Sequence, residues 1–236
     1  MLTALVTGST RGIGAAIARR LRARGVAVIG HARTATDADT IAADLTDPTA
    51  AARIWDQALE RSGAKIDLLV NNAGLFEANP LALSDIEWLD NWEDTLRINL
   101  TAAAELSRFA VKAWLADDRP GRIVHVASRA GYRGDSPDHW HYAAAKGGMI
   151  AMHKTIARQY AANGVMSYAI CPGFTDTAMA EDYLSSRGGP GLLADIPLGR
   201  VAAPDEIAAI AEFCALDAPE SMTGAVIDAN GASYVR

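Results

Sequence analysis

The chain has 236 residues, of which 50% are hydrophobic and 21% are charged, and its 28 acidic and 22 basic residues give a net charge of −6. A chain of this length and composition can bury a large core, which excludes disordered, collagen-like and low-complexity proteins. Because no run of Lys or Arg offers a surface to phosphates, we expect no nucleic acid partner. The two distant cysteines, Cys171 and Cys214, exclude a disulfide framework and a cysteine-rich metal site, and they suit a reducing cytoplasm.

The sequence shows no targeting or membrane-spanning pattern. The first apolar run, at residues 2–7, follows no basic leader, so a secretory signal is not expected. No apolar stretch approaches the roughly 20 residues that a membrane span requires. We therefore expect a cytoplasmic protein without a membrane partner.

Short apolar segments alternate with longer helical ones along the chain. Strands are predicted at 2–7, 26–31, 66–71, 122–128, 166–170 and 225–228, with a weaker one near 40–43. Helices are predicted at 12–24, 48–61, 86–115, 141–162 and 204–215. Apolar strands that alternate with helices indicate an α/β fold, a doubly wound parallel sheet of the Rossmann type, with a ligand crevice at the carboxyl ends of the strands.

A glycine-rich turn joins the first predicted strand to the first helix, and it reads TGSTRGIG over residues 7–14. Gly8 permits the tight turn, Gly12 lets a diphosphate approach the backbone, and Gly14 allows close packing of helix on strand. The start of the helix adds free N–H groups and a positive dipole. The turn predicts a bound dinucleotide, and the alternative is that the glycines serve only the turn. The expected contacts are Gly8, Ser9, Arg11, Gly12, Ile13 and Gly14.

The end of the second strand indicates which dinucleotide is bound. An acidic residue at this point would hold a bare ribose 2′-hydroxyl, but the chain has Arg33 and Thr34 there. Arg11 can reach the same place, and two guanidinium groups favour a 2′-phosphate. NADP(H) is therefore the predicted cofactor. The alternative is that Arg33 is a solvated surface charge and that NAD is used.

Tyr142 and Lys146 are four residues apart in a predicted helix, which places the phenol and the ammonium on one face. A nearby positive charge favours the phenolate form of a tyrosine and lowers its pKa. Such a pair can pass a proton to or from a substrate oxygen. A Tyr–Lys pair taken alone is more often a surface pair, so its interpretation depends on the accompanying motifs.

These segments together resemble the short-chain dehydrogenase/reductase family along nearly the whole chain. The family's motifs occur in order: TGxxxGxG at 7–14, NNAG at 71–74, Asn99 in RINL, Ser128 in VAS, YxxxK at 142–146 and PG at 172–173. The 3-oxoacyl-carrier-protein reductase branch is the most similar, through PLGR at 197–200 and YAAAK at 142–146.

The resemblance implies a catalytic set of Asn99, Ser128, Tyr142 and Lys146. Tyr142 is expected to act as the acid in ketone reduction and as the base in alcohol oxidation. Lys146 is expected to lower the pKa of Tyr142 and to bind the nicotinamide ribose. Ser128 is expected to bind the substrate oxygen, and Asn99 to hold a water in the proton relay to Lys146.

The resemblance also implies cofactor contacts beyond the glycine turn. Asp44 is expected near the adenine, and Thr177 near the pyrophosphate or the carboxamide. The implied contacts are Asp44, Leu45, Asn72, Ala73, Gly74, Tyr142, Lys146, Pro172, Gly173, Thr175 and Thr177.

Several features depart from the family's pattern. The connection between Arg33 and Asp44 is shorter than in many relatives and leaves little room for a helix. The histidines of HWH at 139–141 have no third metal ligand at a suitable spacing, so no metal is predicted, and Trp140 either lines the substrate pocket or packs. Trp88 and Trp92 are expected to face the core or a neighbouring subunit.

The leading hypothesis is an NADP(H)-dependent oxidoreductase that interconverts a small ketone or aldehyde and an alcohol, in the manner of a 3-oxoacyl reductase. One alternative is an NAD-dependent diol or sugar alcohol dehydrogenase, and another is a non-catalytic NADP(H) sensor. We predict one dinucleotide-binding domain over residues 1–236, in which the irregular segment 175–200 is a substrate lid. The resemblance also implies a homotetramer or homodimer.

Overall fold

A parallel sheet of seven strands, counted over the described residues, forms the centre of the protein. The computed structural model describes residues 1–34, 37–176 and 189–236. The strands are β1 Thr3–Thr7, β2 Ala27–Ala32, β3 Thr40–Ala42, β4 Leu68–Asn71, β5 Gly121–Val126, β6 Val165–Pro172 and β7 Val226–Ala229. Their order is β3-β2-β1-β4-β5-β6-β7, with every neighbouring pair parallel, which confirms the predicted fold class.

Helices connect the strands and begin and end at residues with recognisable roles. Pro204 occupies the first turn of its helix, where a missing N–H costs little, and Gly63 ends another helix in the left-handed conformation. Ser84 forms a capping box with Glu87. The helices are α1 Gly12–Ala23, α2 Ala50–Ser62, α3 Asp85–Leu96, α4 Ala102–Ala116, α5 Ala130–Arg133, α6 Trp140–Tyr160, α7 Gly189–Ala194 and α8 Pro204–Glu212.

Both faces of the sheet are covered by helices. Successive residues of β1 show the division, because Val6 belongs to the core cluster that includes α1 and α8, whereas Leu5 belongs to the cluster that includes α2 and α4. A sheet buried on both faces explains why its strands are continuously apolar. The polar carboxyl ends of the strands are therefore the places where the sheet can present chemistry.

The predicted helix at 86–115 is two helices in the structure. α3 ends at Leu96, a π-helical turn occupies Arg97–Thr101, and α4 begins at Ala102. Residues 86–115 contain no Gly or Pro that would mark a helix end, so the sequence alone predicts one helix. The extra residue in a π turn changes the direction of the side chains around it, and this turn contains Asn99.

Two other predicted segments differ in how fully the structure describes them. The weak strand candidate near 40–43 is present as β3. In the segment 175–200, residues 177–188, which include Thr177, lie outside the described residues, and 189–194 form α7. The lid and the single-domain organisation stay predictions.

Candidate active site

The predicted motifs meet at one edge of the sheet. The glycine turn follows β1, the segment 72–74 follows β4, Ser128 lies two residues beyond β5, and Pro172 ends β6. β1 lies between β2 and β4, so the strand order reverses beside it. Ligands of doubly wound sheets bind at this reversal, outside the carboxyl ends of the strands.

The backbone of the glycine turn requires its glycines. Gly8 and Gly12 have φ values of +64° and +52°, a region that favours glycine. A Cβ on Gly8 would lie 2.9 Å from the Cα of Ala73, and one on Gly14 would overlap the Gly8 carbonyl oxygen. Among the described residues, no side chain caps the first turn of α1, so its N–H groups are available to an anion. The turn therefore fits a diphosphate. Ile13 packs against the core behind it.

Hydrogen bonds fasten the glycine turn to the segment after β4. The hydroxyl oxygen of Thr7 accepts hydrogen bonds from the backbone N–H groups of Asn72 and Ala73, each at 3.0 Å. The side-chain amide of Asn72 donates to the carbonyl oxygens of Thr7 and Gly8 at 2.9 and 3.1 Å. Asn72 and Ala73 thus shape the crevice, and their direct contact with a cofactor stays a prediction.

His31, which sequence reasoning missed, supports the glycine turn from β2. Its Nδ1 accepts a 3.4 Å hydrogen bond from the Gly8 N–H, and its Nε2 lies 3.0 Å from the carbonyl oxygen of Ala43. Its own carbonyl oxygen accepts a 2.9 Å hydrogen bond from the Ser9 N–H. Burial lowers the pKa of His31. The neutral tautomer with a proton on Nε2 therefore satisfies both ring nitrogens.

Of the residues proposed for cofactor choice, Arg33 and Thr34 follow β2, whereas Arg11 directly precedes α1. Arg11, Arg33 and Thr34 are all exposed. The hydrogen bonds from the Thr46 N–H and hydroxyl lower the pKa of Asp44, and the charge of Arg33 lowers it to a smaller extent. Arg33 is therefore close enough to Asp44 for its charge to act there. Leu45, beside Asp44, is buried in the core.

Ser128, Tyr142 and Lys146 lie together at the end of β5. Lys146 is buried, and its ammonium group donates a 2.8 Å hydrogen bond to the carbonyl oxygen of Val126. The same nitrogen lies 5.7 Å from the centroid of the Tyr142 ring. A hydrogen bond joins Tyr142 and Ser128, whose hydroxyl oxygen also accepts a 3.1 Å hydrogen bond from the Ala130 N–H.

Burial dominates the pKa values of this pair. It raises the pKa of the Tyr142 phenol to about 12, against the opposing effect of the Ser128 hydrogen bond. It lowers the pKa of the Lys146 ammonium to about 8. In the protein alone, the pKa of Tyr142 is therefore raised and not lowered, because desolvation of the phenolate is the largest effect on it.

Asn99 is fully buried in the π turn between α3 and α4. Its side-chain amide donates to the carbonyl oxygens of Leu75 and Thr95 at 3.0 and 3.1 Å, and its Oδ1 accepts a 3.0 Å hydrogen bond from the Leu75 N–H. A Cβ on Gly74 would lie 2.8 Å from Oδ1 and 3.7 Å from the Lys146 nitrogen. Asn99 therefore fixes the backbone beside Lys146, and its expected role with a water stays a prediction.

The segment after β6 closes another side of the crevice. A Cβ on Gly173, next to Pro172, would lie 2.9 Å from the Cα of Asn230, so glycine allows a close approach there. Thr175 is buried, and its hydroxyl donates to the Gly173 carbonyl oxygen at 3.3 Å. The neighbouring Cys171 is buried, and burial raises the pKa of its thiol to about 11, which agrees with a packing role.

An aromatic cluster lies beside Tyr142, and sequence reasoning did not predict its arrangement. The Phe76 and Tyr142 rings form a T-shaped pair with centroids 4.8 Å apart, and the Phe76 ring also stacks on His139 with centroids 4.1 Å apart. Trp88 contacts Trp140, which is 53% exposed. The Trp92 ring stacks on His141 with centroids 6.5 Å apart, so both Trp88 and Trp92 pack on the start of α6.

Within residues 1–34, 37–176 and 189–236, no group of three or more His, Cys, Asp or Glu side chains is arranged to hold a metal ion. No helix in those ranges is both long and apolar enough to cross a bilayer.

Comparison with known proteins gives consistent matches. The sequence profile of a family described as short chain dehydrogenase matches residues 2–188. The chain is 36% identical over 244 residues to the 3-oxoacyl-[acyl-carrier-protein] reductase FabG of Salmonella typhimurium, and the match covers 98% of this chain and 97% of the relative.

Two solved structures are also similar, and each match covers 98% of this chain and 96% of the other. One, provisionally named a 2-deoxy-d-gluconate 3-dehydrogenase from Agrobacterium tumefaciens with bound NADP, has a TM-score of 0.86 and 30% identity. The other, provisionally named an NAD(P)-dependent gluconate 5-dehydrogenase from Beutenbergia cavernae with NADP at low occupancy, has a TM-score of 0.87 and 33% identity.

Proposed function

Because the chain belongs to the short-chain dehydrogenase/reductase family, we propose that it is an NADP(H)-dependent oxidoreductase that interconverts a small carbonyl compound and its alcohol. The observation that carries the proposal is the grouping of Ser128, Tyr142 and Lys146 beside the glycine turn, at the reversal of the strand order. A proton donor and an anion site then lie at the same crevice.

The chain's own residues fit a dinucleotide. Gly8 and Gly14 leave the backbone of the turn open, and the uncapped start of α1 offers N–H groups to the diphosphate. Asn72, Ala73, Gly74, Pro172, Gly173 and Thr175 would line the rest of the cofactor. NADPH, when bound, supplies the hydride that the carbonyl carbon receives.

The protein's part in the reduction is to move one proton and to stabilise charge. Tyr142 donates its hydroxyl proton to the substrate oxygen as that oxygen gains negative charge, and the Ser128 hydroxyl donates a hydrogen bond to the same atom. The Lys146 ammonium stabilises the phenolate that remains. Asn99 holds the Leu75 backbone beside Lys146, where a water can return the proton from solvent. Oxidation uses the same steps in reverse.

At neutral pH the Tyr142 phenol is in the protonated form that carbonyl reduction requires. A phenol with a pKa of about 12 is protonated at pH 7 and so is ready to donate. This protonation state suits a 3-oxoacyl reductase, the activity in the name of the Salmonella relative. A sugar or diol dehydrogenase, with NAD as an alternative cofactor, is the second candidate, because both structural neighbours carry gluconate dehydrogenase names.

The preference for NADP(H) rests on the position of two arginines. Arg11 and Arg33 are exposed, and Asp44 accepts hydrogen bonds from the Thr46 N–H and hydroxyl, which lower its pKa, as does the charge of Arg33 to a smaller extent. The NADP in both neighbouring structures supports this choice. A non-catalytic sensor is disfavoured, because Asn99, Ser128, Tyr142 and Lys146 are all in place.

Location and assembly complete the proposal. Two buried free cysteines agree with a reducing cytoplasm. Exposed apolar side chains such as Ile86, Leu89 and Leu115 agree with a homotetramer or homodimer. Light scattering of the purified protein measures the subunit number, and a monomer at micromolar concentration would contradict the proposed assembly.

The direct test is a spectrophotometric assay of the purified protein. NADPH and NADH oxidation are followed with short β-keto esters, diketones and simple ketones, and NADP⁺ and NAD⁺ reduction with sugar acids and diols. We expect turnover of carbonyl substrates with NADPH preferred. Tight NADPH binding without turnover across both panels would favour the sensor instead.

A further inference from the structure

We propose that Phe76 and His139 form a fixed aromatic wall at the reacting end of the pocket, and that this wall selects carbonyl substrates with a flat ring next to the reacting carbon over straight-chain ones. The inference rests on the proposed function, because it takes Tyr142 as the residue that meets the substrate oxygen.

Phe76 is the side chain of this wall that can contact a substrate. Its ring meets the Tyr142 ring at an interplanar angle of 77°, with centroids 4.8 Å apart. It is only partly buried, whereas His139 behind it is 2% exposed. Of the two rings of the wall, Phe76 is therefore the one that a group bound beside Tyr142 can reach.

His139 holds the Phe76 ring in one orientation. The two rings are stacked with centroids 4.1 Å apart and an angle of 15°. The Nδ1 of His139 is 2.6 Å from the Ser136 hydroxyl oxygen, so the imidazole cannot turn without loss of this hydrogen bond. A stack held in this way presents a preformed surface rather than one that must order on binding.

Backbone contacts join the two segments that carry the wall. The backbone N–H of Asn79, three residues after Phe76, donates a 2.8 Å hydrogen bond to the carbonyl oxygen of Asp138, the residue before His139. The side-chain amide of Asn79 donates to the Trp88 carbonyl oxygen at 3.0 Å. The segment after β4, the residues before α6 and the start of α3 are therefore connected beside Tyr142.

The chemistry of the wall favours planar groups. Aromatic rings attract other rings in offset or edge-to-face arrangements beyond the gain from buried area, and a linear chain lacks this additional attraction. Because Phe76 contacts Tyr142, which is proposed to meet the substrate oxygen, this additional attraction would act on a ring attached to the reacting carbon. We therefore expect aryl ketones and benzoyl β-keto esters to be better substrates than their alkyl counterparts.

The test compares kcat/KM for ethyl benzoylacetate and ethyl butyrylacetate with NADPH. The wild-type protein should prefer the aryl ester, and Phe76→Leu should reduce the ratio of kcat/KM for the aryl ester to that for the alkyl ester roughly 5- to 10-fold. Phe109→Leu is the matched control, because Phe109 packs on Trp55 in α2, and it should leave the ratio unchanged. If the ratio of kcat/KM for the aryl ester to that for the alkyl ester were equal in the wild type and Phe76→Leu, the proposal would be contradicted.

A binding measurement separates the wall from the proposed function. Calorimetry with acetophenone is carried out on Tyr142→Phe protein saturated with NADPH, with and without Phe76→Leu. Weaker binding of acetophenone to the protein that also carries Phe76→Leu would support the wall independently of catalysis. Equal binding by the two proteins would contradict it. Absence of NADPH oxidation by the wild type with every carbonyl compound would instead overturn the proposed function.

Discussion

The ammonium nitrogen of Lys146 lies 5.7 Å from the centroid of the Tyr142 ring, one turn along α6. Burial acts on both groups, and it raises the pKa of Tyr142 to about 12 and lowers that of Lys146 to about 8. Each shift favours the neutral form of its group. The phenol therefore serves as a proton donor, and the charge of Lys146 matters after the proton has left.

This relationship predicts a pH dependence of the reduction. Lys146 loses its positive charge as the pH rises through about 8, and the phenolate formed by proton donation then lacks stabilisation. We expect kcat/KM for carbonyl reduction to fall as the pH rises through this value. In Lys146→Arg the charge persists, so any remaining activity should not fall until higher pH. If kcat/KM fell at the same pH in the wild type and in Lys146→Arg, the titrating group would be one other than Lys146.

Cofactor choice should depend on Arg33. Arg33→Asp replaces a charge suited to a 2′-phosphate with one suited to a ribose hydroxyl, so the ratio of kcat/KM for NADPH to that for NADH should fall about 10- to 100-fold. Arg158→Asp, an exposed arginine in the last turn of α6, is the matched control. An unchanged ratio in Arg33→Asp would show that this residue only faces solvent.

A buried histidine pair should make the fold sensitive to acid. His125 and His153 have ring centroids 5.9 Å apart, and His125 also lies 3.3 Å from the Asn71 amide nitrogen. Burial lowers the pKa of His125 to about 3, with His153 contributing, and burial also lowers that of His153. The unfolded chain then binds more protons than the folded one below about pH 6.5. The free energy of unfolding should therefore decrease as the pH falls from about 6.5 towards 3.

Urea unfolding of His125→Gln measures this effect. The variant lacks one of the titrating groups, so its stability should change less steeply with pH, by up to about 1.4 kcal/mol per pH unit. Asn163→Gln, at an exposed position, should retain the wild-type slope. A slope in His125→Gln equal to that of the wild type would mean that His125 does not titrate differently on unfolding.

Much of the fold and site follows from local sequence patterns. The predicted doubly wound sheet and the short-chain dehydrogenase/reductase resemblance are confirmed. The glycine turn and the Tyr142–Lys146 pair were accessible because each is encoded within a few consecutive residues and has a fixed spacing on a turn or a helix. The proximity of Ser128 to Tyr142 then followed from the family's order of motifs.

Features that depend on tertiary contacts could not be predicted in the same way. The π turn around Asn99 contains no Gly or Pro that would interrupt the predicted helix, so the sequence does not reveal it. The contact of His31 with Gly8, and the stack of Phe76 on His139, join residues distant in sequence. The rise of the Tyr142 pKa could not be predicted for a related reason, since the degree of burial is set by the fold.

The central claim is that Tyr142 donates the proton, and the rate of NADPH oxidation by Tyr142→Phe tests it most directly. The matched control is Tyr160→Phe, at the far end of the same helix. We predict that Tyr142→Phe binds NADPH with wild-type affinity but loses at least about 100-fold in kcat, the scale of a general acid, while Tyr160→Phe stays within about 2-fold of the wild type. Near-full turnover by Tyr142→Phe with the same carbonyl substrate would contradict the account.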